Sequence, residues 1–143
     1  MGEFVALGML WFAKNGSKWV EDKKVKKWSP NFLSLLSSLT LGIVGYGDIG
    51  CECARVAKMG FNMKVIAAKR DPTKTTEKQR QMADKITSSS GEDLDNLLSE
   101  SDFVLNVMPY TPESHEFFGA ELLSKMKKTA IFMNIGRGKS VKE

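Results

Sequence analysis

Gly45-Tyr46-Gly47-Asp48-Ile49-Gly50 has the spacing G-x-G-x-x-G. It follows the short apolar run Leu41–Val44 and opens residues 48–59, whose small and apolar positions fall on one side of a helix. A glycine triplet alone says little; between a strand and a helix it has a mechanism. The first glycine permits the tight turn, the second lets backbone approach a pyrophosphate, and the third lets helix and strand pack closely. The helix N-terminus then offers N–H groups and a partial positive charge to phosphate. Gly45, Gly47 and Gly50 therefore read as a phosphate-binding turn for a nicotinamide dinucleotide, the alternative being a glycine-rich connection with no ligand.

The end of the next strand selects the dinucleotide. An NAD site carries Asp or Glu about 20 residues further on, to bind the ribose 2′-hydroxyl. Lys69 and Arg70 stand at that point here, and Asp71 comes past the strand end. Two cations suit a 2′-phosphate, and arginine can bind one bidentately. The expectation is that NADP(H) is preferred, with NAD(H) possible; the alternative is a solvated basic loop.

Other reactive side chains are few. Cys51 and Cys53 are one residue apart, a spacing unsuited to a disulfide, so a reduced compartment is the default. The single histidine, His115, is distant in sequence, so no metal site is expected. The cysteines read as small helix-packing residues and His115 as an ordinary loop residue.

The elements that must hold these groups follow from pattern. Residues 3–15 read as a buried or interface helix, and Asn15-Gly16 as its stop. Residues 17–31 form a basic arm with Trp19 and Trp28, Ser29-Pro30-Asn31 breaks structure, and 32–38 are a low-complexity bridge. Strands are expected at 41–44, 63–68, around Ile86, at 102–108 and at 130–135, with helical stretches at 48–59, within 71–82, at 92–98 and at 119–126. Strands alternating with helices imply right-handed crossovers and a parallel sheet. The fold class is α/β, a Rossmann-type doubly wound parallel sheet of about five strands, with an N-terminal helix and arm.

Bulk properties narrow the partners. A chain of 143 residues with 42% hydrophobic and 27% charged residues suits a globular domain. A net charge of +4 admits an anionic ligand without arguing for nucleic acid. The apolar run Phe4–Ala13 is too short to span a bilayer and lacks a basic leader. Ala6 stands where a myristoylation signal wants Ser or Thr. No membrane partner is expected, and the absence of a visible address leaves the cytoplasm as the expected location.

Three ordered stretches resemble the cofactor domain of the D-isomer-specific 2-hydroxyacid dehydrogenases: Leu39–Arg70, Ser101–Ser114 with its Pro109-Tyr110-Thr111-Pro112 loop, and Asn134-Ile135-Gly136-Arg137-Gly138. The resemblance covers nearly the whole chain. It implies that Tyr46, Asp48 and Ile49 lie over the pyrophosphate through backbone contacts. It places Met108, Pro109 and Ser114 near the adenosine half, and Ile135 and Gly136 toward the nicotinamide. Arg137 matches the arginine that binds a substrate carboxylate, a role a planar guanidinium suits for a 2-keto acid; the alternative is a loop salt bridge. His115 does not match the family's catalytic histidine.

The same resemblance implies strand order 3-2-1-4-5, a fifth strand left as an edge with Ile131, Phe132 and Ile135 exposed, and a homodimer built on the helix and arm of residues 1–38. For the arm, the alternative is that its aromatic residues cover the chain's own sheet. Residues 39–143 would be the dinucleotide-binding domain. The family's proton-transferring histidine and glutamate, and its substrate domain, would lie outside these 143 residues. Lys139 and Ser140 depart from the usual small or apolar residues, and Asn62 stands where glycine commonly ends the first crossover helix. The expected function is hydride transfer between a nicotinamide cofactor and a small 2-hydroxy or 2-keto acid, with this chain alone inactive. A non-catalytic dinucleotide-binding or interaction module is the alternative.

Overall fold

The computed structural model describes residues 1–30 and 33–143; Asn31 and Phe32, within the expected break and bridge, lie outside the described residues. Two helices come first, α1 (Gly2–Ala13) and α2 (Gly16–Lys24). Then β1 (Thr40–Val44), α3 (Asp48–Arg55), β2 (Lys64–Lys69), α4 (Glu77–Met82), β3 (Lys85–Ser88), α5 (Gly91–Glu100), β4 (Phe103–Asn106), α6 (Ala120–Ser124) and β5 (Ile131–Asn134) alternate. The strands form one sheet in the order β3-β2-β1-β4-β5, every pair parallel. This is the doubly wound arrangement expected from the alternation.

Side-chain parity builds the two cores. A strand sends successive residues to opposite faces. Leu41, Ile43, Val65, Ala67, Phe103 and Leu105 point to one face and are covered by Val5 and Met9 of α1 and by Cys51, Cys53 and Ala54 of α3. Val44, Ile66, Ala68 and Val104 point to the other, against Leu94, Leu97 and Leu98 of α5 and against Phe118. Burial on both faces is why these strands read as near-continuous apolar runs. Cys51 and Cys53 are packing residues, and burial pushes the Cys53 thiol pKa up.

Three local results differ from, or refine, the sequence reading. The basic arm contains a helix, α2, with no apolar periodicity to reveal it. An i,i+4 pair, Lys18–Asp22 at 3.1 Å, and Lys23 and Lys24 in the last turn support it. The helix expected over 48–59 is α-helical only to Arg55, then widens into a π-turn over Val56–Gly60. Asn62 follows at φ 53°, the left-handed conformation that a short polar side chain tolerates. The third result concerns β5, which is the sheet edge, yet Ile131, Phe132 and Ile135 are half-buried rather than exposed. Phe132 stacks at 4.8 Å on Phe118, while Ile131 and Ile135 join the core beneath α1.

Asp84 ties β2 to the start of β3. Its carboxylate accepts from the Val65 N–H at 2.8 Å and from the Lys58 ammonium at 2.7 Å. Partial burial works against the charge, but Lys58 and the Val65 N–H outweigh it and hold the pKa below the usual aspartate range. A folded-state pKa below the unfolded value of about 3.9 adds stability that is complete above that pH and is lost as pH falls through the folded value. Denaturant midpoints measured from pH 7 to pH 3 should therefore fall on the acid side. Asp84→Asn should lower the midpoint at pH 7 and flatten the acid slope; an unchanged slope would count against this role.

Candidate functional site

All five strands end on the side of the sheet where the glycine turn lies, the place where parallel α/β sheets bind ligands. At Gly45 the chain leaves β1 with φ 98°, and the Met108 backbone nitrogen lies 2.7 Å from where a Cβ would stand. No other residue fits that turn without moving the β4 exit. Gly50 faces the Gly45 carbonyl, 3.0 Å from a Cβ position, so α3 seats directly on the strand. Gly47 differs: a Cβ there meets nothing within 4 Å, and the residue lines an open cleft. The three glycines thus divide as turn, ligand approach and helix packing.

Backbone donors at the turn are divided as well. The N–H groups of Gly45 and Tyr46 both donate to the Ala68 carbonyl at 3.0 Å, and that of Gly47 donates to Gly45. The N–H groups of Asp48, Ile49 and Gly50, in the first turn of α3, have no backbone acceptor among the described residues. They are the donors left for an anion. Tyr46 therefore supports the turn through its side chain rather than offering its N–H. It is 1% exposed, and its hydroxyl donates to the Gln79 carbonyl at 2.9 Å. Burial, with the neighbouring Cys51 thiol, pushes the phenol pKa far above its ordinary range.

A cleft of about 770 Å³ opens from this turn. Gly45, Tyr46, Gly47, Asp48, Ile49, Gly50, Lys69, Arg70, Met108, Pro109 and Ser114 all line it. The structure thus gathers residues from three separated segments of the sequence. Thr111 of the Pro109–Pro112 loop lines it too, as do Ser89, Ser90 and Phe117, to which no sequence motif pointed. Ser114 is buried, its hydroxyl set among the Thr111 N–H and the Pro109 carbonyl, both at 2.8 Å, so it shapes the Pro109–Ser114 loop from within.

Lys69 and Arg70 are held very differently. The Lys69 ammonium donates to the Lys74 carbonyl at 2.7 Å and to the Gln79 side-chain oxygen at 3.2 Å. Both acceptors are neutral, so its charge is uncompensated. Arg70 has a side chain 79% exposed and a loose 4.0 Å contact with Glu113. Such an exposed pair contributes little and leaves the guanidinium available.

Ile135, Gly136 and Arg137 do not line the cleft itself; they follow β5, and a Cβ at Gly136 would stand 2.7 Å from the carbonyl of Met108, which does line it. The Ile135 and Gly136 N–H groups both donate to the Asn106 carbonyl at 3.1 Å. The Arg137 side chain is exposed and bonds the Gly136 carbonyl at 3.1 Å. Beneath this loop lies a polar network that the sequence reading missed. The fully buried Asn106 amide donates to Ser140 Oγ at 2.7 Å and to Asn134 Oδ1 at 3.1 Å, while its oxygen accepts from the Met108 N–H at 3.0 Å. Ser140 and Asn134 in turn donate to the Arg137 carbonyl. The available signal was Asn106 itself, a polar residue inside the apolar run Phe103–Met108. His115 is exposed, 3.3 Å from the Tyr110 hydroxyl.

Beyond the cleft, α1 leaves Phe4, Leu7, Trp11 and Phe12 exposed. With Met133 and Ile135 they line an apolar groove of about 430 Å³ along the β5 edge. Among the described residues, no helix is long and apolar enough to cross a membrane, and no cluster of His, Cys, Asp and Glu could hold a metal ion.

Comparison with known proteins agrees with this geometry. Residues 5–143 match the family described as D-isomer specific 2-hydroxyacid dehydrogenase, NAD binding domain. Glyoxylate/hydroxypyruvate reductase B of Escherichia coli (strain SMS-3-5 / SECEC) is 46% identical over 104 residues, which are 73% of this chain and 30% of that protein. The chain thus spans under a third of the length of the curated relatives it matches. Among solved structures, D-lactate dehydrogenase from Aquifex aeolicus, complexed with NAD and lactic acid, aligns over 99% of this chain and 40% of its own at TM-score 0.85 and 29% identity. An NADPH-dependent glyoxylate/hydroxypyruvate reductase from Sinorhizobium meliloti, in complex with NADP and sulfate, aligns over 99% and 43% at TM-score 0.83 and 25% identity.

The two kinds of glycine give a discriminating test. Gly45→Ala should destabilise the fold by about 1–3 kcal/mol, since its backbone conformation is strained for any side chain. Gly47→Ala should unfold like the parent, because the methyl meets open space. It should nevertheless weaken dinucleotide binding about tenfold or more, the equivalent of one charge-assisted contact. Unchanged binding by a folded Gly47→Ala, followed by cofactor fluorescence, would remove the turn from the site.

Proposed function

The chain belongs to the D-isomer-specific 2-hydroxyacid dehydrogenase family, and on that premise we propose that it is the NADP(H)-binding part of a reductase of small 2-keto acids. The observation that carries the cofactor choice is the end of β2. Two cations close that strand where an NAD site carries an acid, Lys69 with neutral oxygens accepting from its ammonium and Arg70 held only loosely, by Glu113 at 4.0 Å. A 2′-phosphate gains from both, whereas a ribose 2′-hydroxyl finds a cation rather than a carboxylate at the strand end. The relatives hold either cofactor: NAD in the Aquifex enzyme and NADP in that of Sinorhizobium.

Bound there, a nicotinamide cofactor supplies the hydride. The residues of this chain would do the rest by position. Asp48, Ile49 and Gly50 present N–H groups to the pyrophosphate, Lys69 and Arg70 hold the 2′-phosphate, and Met108, Pro109 and Ser114 wall the adenosine half. Ile135 and Gly136 border the nicotinamide side. Arg137, on a loop pinned by Asn106, Asn134 and Ser140, takes the carboxylate of a 2-keto acid and polarises its carbonyl. The Escherichia relative's name points to glyoxylate and hydroxypyruvate as substrates to try. Residues 1–38 we assign to a homodimer contact; the exposed apolar side chains of α1 support it.

The single histidine, His115, bonds Tyr110, and the Arg137 side chain bonds the Gly136 carbonyl, so the two are not paired for proton transfer among the described residues. These 143 residues are therefore proposed to bind cofactor without turnover, and the reading of a non-catalytic binding module rests on the same observation. Titration by fluorescence should give tighter binding of NADPH than of NADH; the reverse order would overturn the cofactor assignment. The purified chain, given NADPH with glyoxylate or hydroxypyruvate, should show no measurable oxidation of the cofactor. Sustained turnover would overturn the division between binding and proton transfer.

A further inference from the structure

Gln79 connects the glycine turn to the cation that reads the 2′ position. It sits in α4, 7% exposed, and each of its polar groups has a partner. Its side-chain oxygen accepts from the Lys69 ammonium at 3.2 Å and from the Thr76 N–H at 3.1 Å. Its side-chain nitrogen donates to the Tyr46 carbonyl at 3.4 Å, and its backbone carbonyl accepts the Tyr46 hydroxyl. The amide orientation is fixed by this chemistry: two donors face one end and an acceptor faces the other. Thr76 closes the arrangement by accepting from the Gln79 N–H, completing a capping box that anchors α4.

The consequence falls on Lys69. A lysine at a cleft edge normally keeps several rotamers and a fully hydrated ammonium. Here two of its three N–H donors are taken, by Lys74 and Gln79, and the third is left for the cleft that Lys69 lines. Because both acceptors are neutral, holding the side chain costs none of its charge. A carboxylate in place of the amide would still accept from Lys69, but it would cancel that charge and lose the donor to the Tyr46 carbonyl. Glutamate is as good as glutamine at the third position of a capping box. The helix cap therefore does not distinguish the two residues, and the charge beside Lys69 does.

We propose that Gln79 is a positioning residue for cofactor selection, orienting Lys69 toward the 2′-phosphate through a neutral acceptor while bracing the glycine turn through Tyr46. This rests on the reading that Lys69 contacts the 2′-phosphate.

The test compares dissociation constants for NADPH and NADH across Gln79→Glu, Gln79→Met, Lys69→Met and the double variant Lys69→Met/Gln79→Glu, with thermal unfolding as a check. Lys69→Met should reduce the preference for NADPH about tenfold, the size of one hydrogen bond to a charged group. Gln79→Glu should reduce it by a similar factor while changing NADH binding far less. In the Lys69→Met background Gln79→Glu should change the preference less than it does beside an intact Lys69, the remainder being the carboxylate's own repulsion of the 2′-phosphate. Gln79→Met, which keeps the bulk and loses the acceptor, should reduce it about three- to tenfold, and decides the matter if the Glu variant does not fold. If Lys69→Met alters the preference but the Gln79 variants weaken both cofactors equally, Gln79 is merely structural and this inference is overturned while the reading of Lys69 stands. If Lys69→Met leaves the preference unchanged, both fall.

Discussion

At Gly45 the chain turns out of β1 against the backbone leaving β4, with 2.7 Å between the Met108 nitrogen and the place a side chain would take. That contact is backbone against backbone, so it cannot relax by changing a rotamer. It fixes the end of β1 relative to β4, and the shared acceptor at Ala68 fixes it relative to β2. Three strands therefore end in register at one point. The first turn of α3 is aimed from that point, and every proposed ligand contact is measured from it.

Around this contact the buried side-chain amides of Asn106 and Gln79 and the Ser114 hydroxyl hold loops and turns, while groups facing the cleft keep capacity in reserve. Asn106 uses its whole amide to fasten the loops carrying Met108 and Arg137. An unsatisfied amide at that depth would cost about 1–3 kcal/mol, so the network specifies one loop arrangement rather than several. By contrast, the N–H groups of Asp48 and Ile49 lack a backbone acceptor on an exposed turn, and the half-buried Lys69 ammonium meets neutral acceptors at the cleft edge. Water satisfies them at little cost, and an anion can replace that water.

The two faces of the sheet are covered unequally along the chain. One face is shared by α1 and α3, the other by α5 and the segment around Phe118. α1 must meet the core with Val5 and Met9 while leaving Phe4, Leu7, Trp11 and Phe12 outward. This is why an all-round apolar helix could be read either as buried or as an interface element: it is apolar on both sides, and among the described residues its outward side stays largely exposed, Trp11 alone bonding α2 through Ser17.

Much was legible before any coordinates. The strand–helix alternation, the glycine turn and the basic end of β2 follow from local residue types, because each depends on backbone geometry or charge that a short segment carries with it; the strand order and the arginine loop were legible through the family resemblance. Asn62 in the left-handed conformation and the packing role of the cysteines belong to the same class. α2 was not legible, since its stability comes from side-chain pairs on a surface without an apolar stripe. The half-burial of β5 was not legible either, since the coverage of an edge depends on α1 and Phe118, far away in sequence. Tyr46 stood in the motif as one residue among six, and only its distance to Gln79 showed that its side chain braces the turn while its N–H is already used. The sequence by itself determined what kinds of group would meet at the strand ends; the tertiary structure decided which remain free to bind, because a donor's availability depends on acceptors that folding brings from elsewhere in the chain.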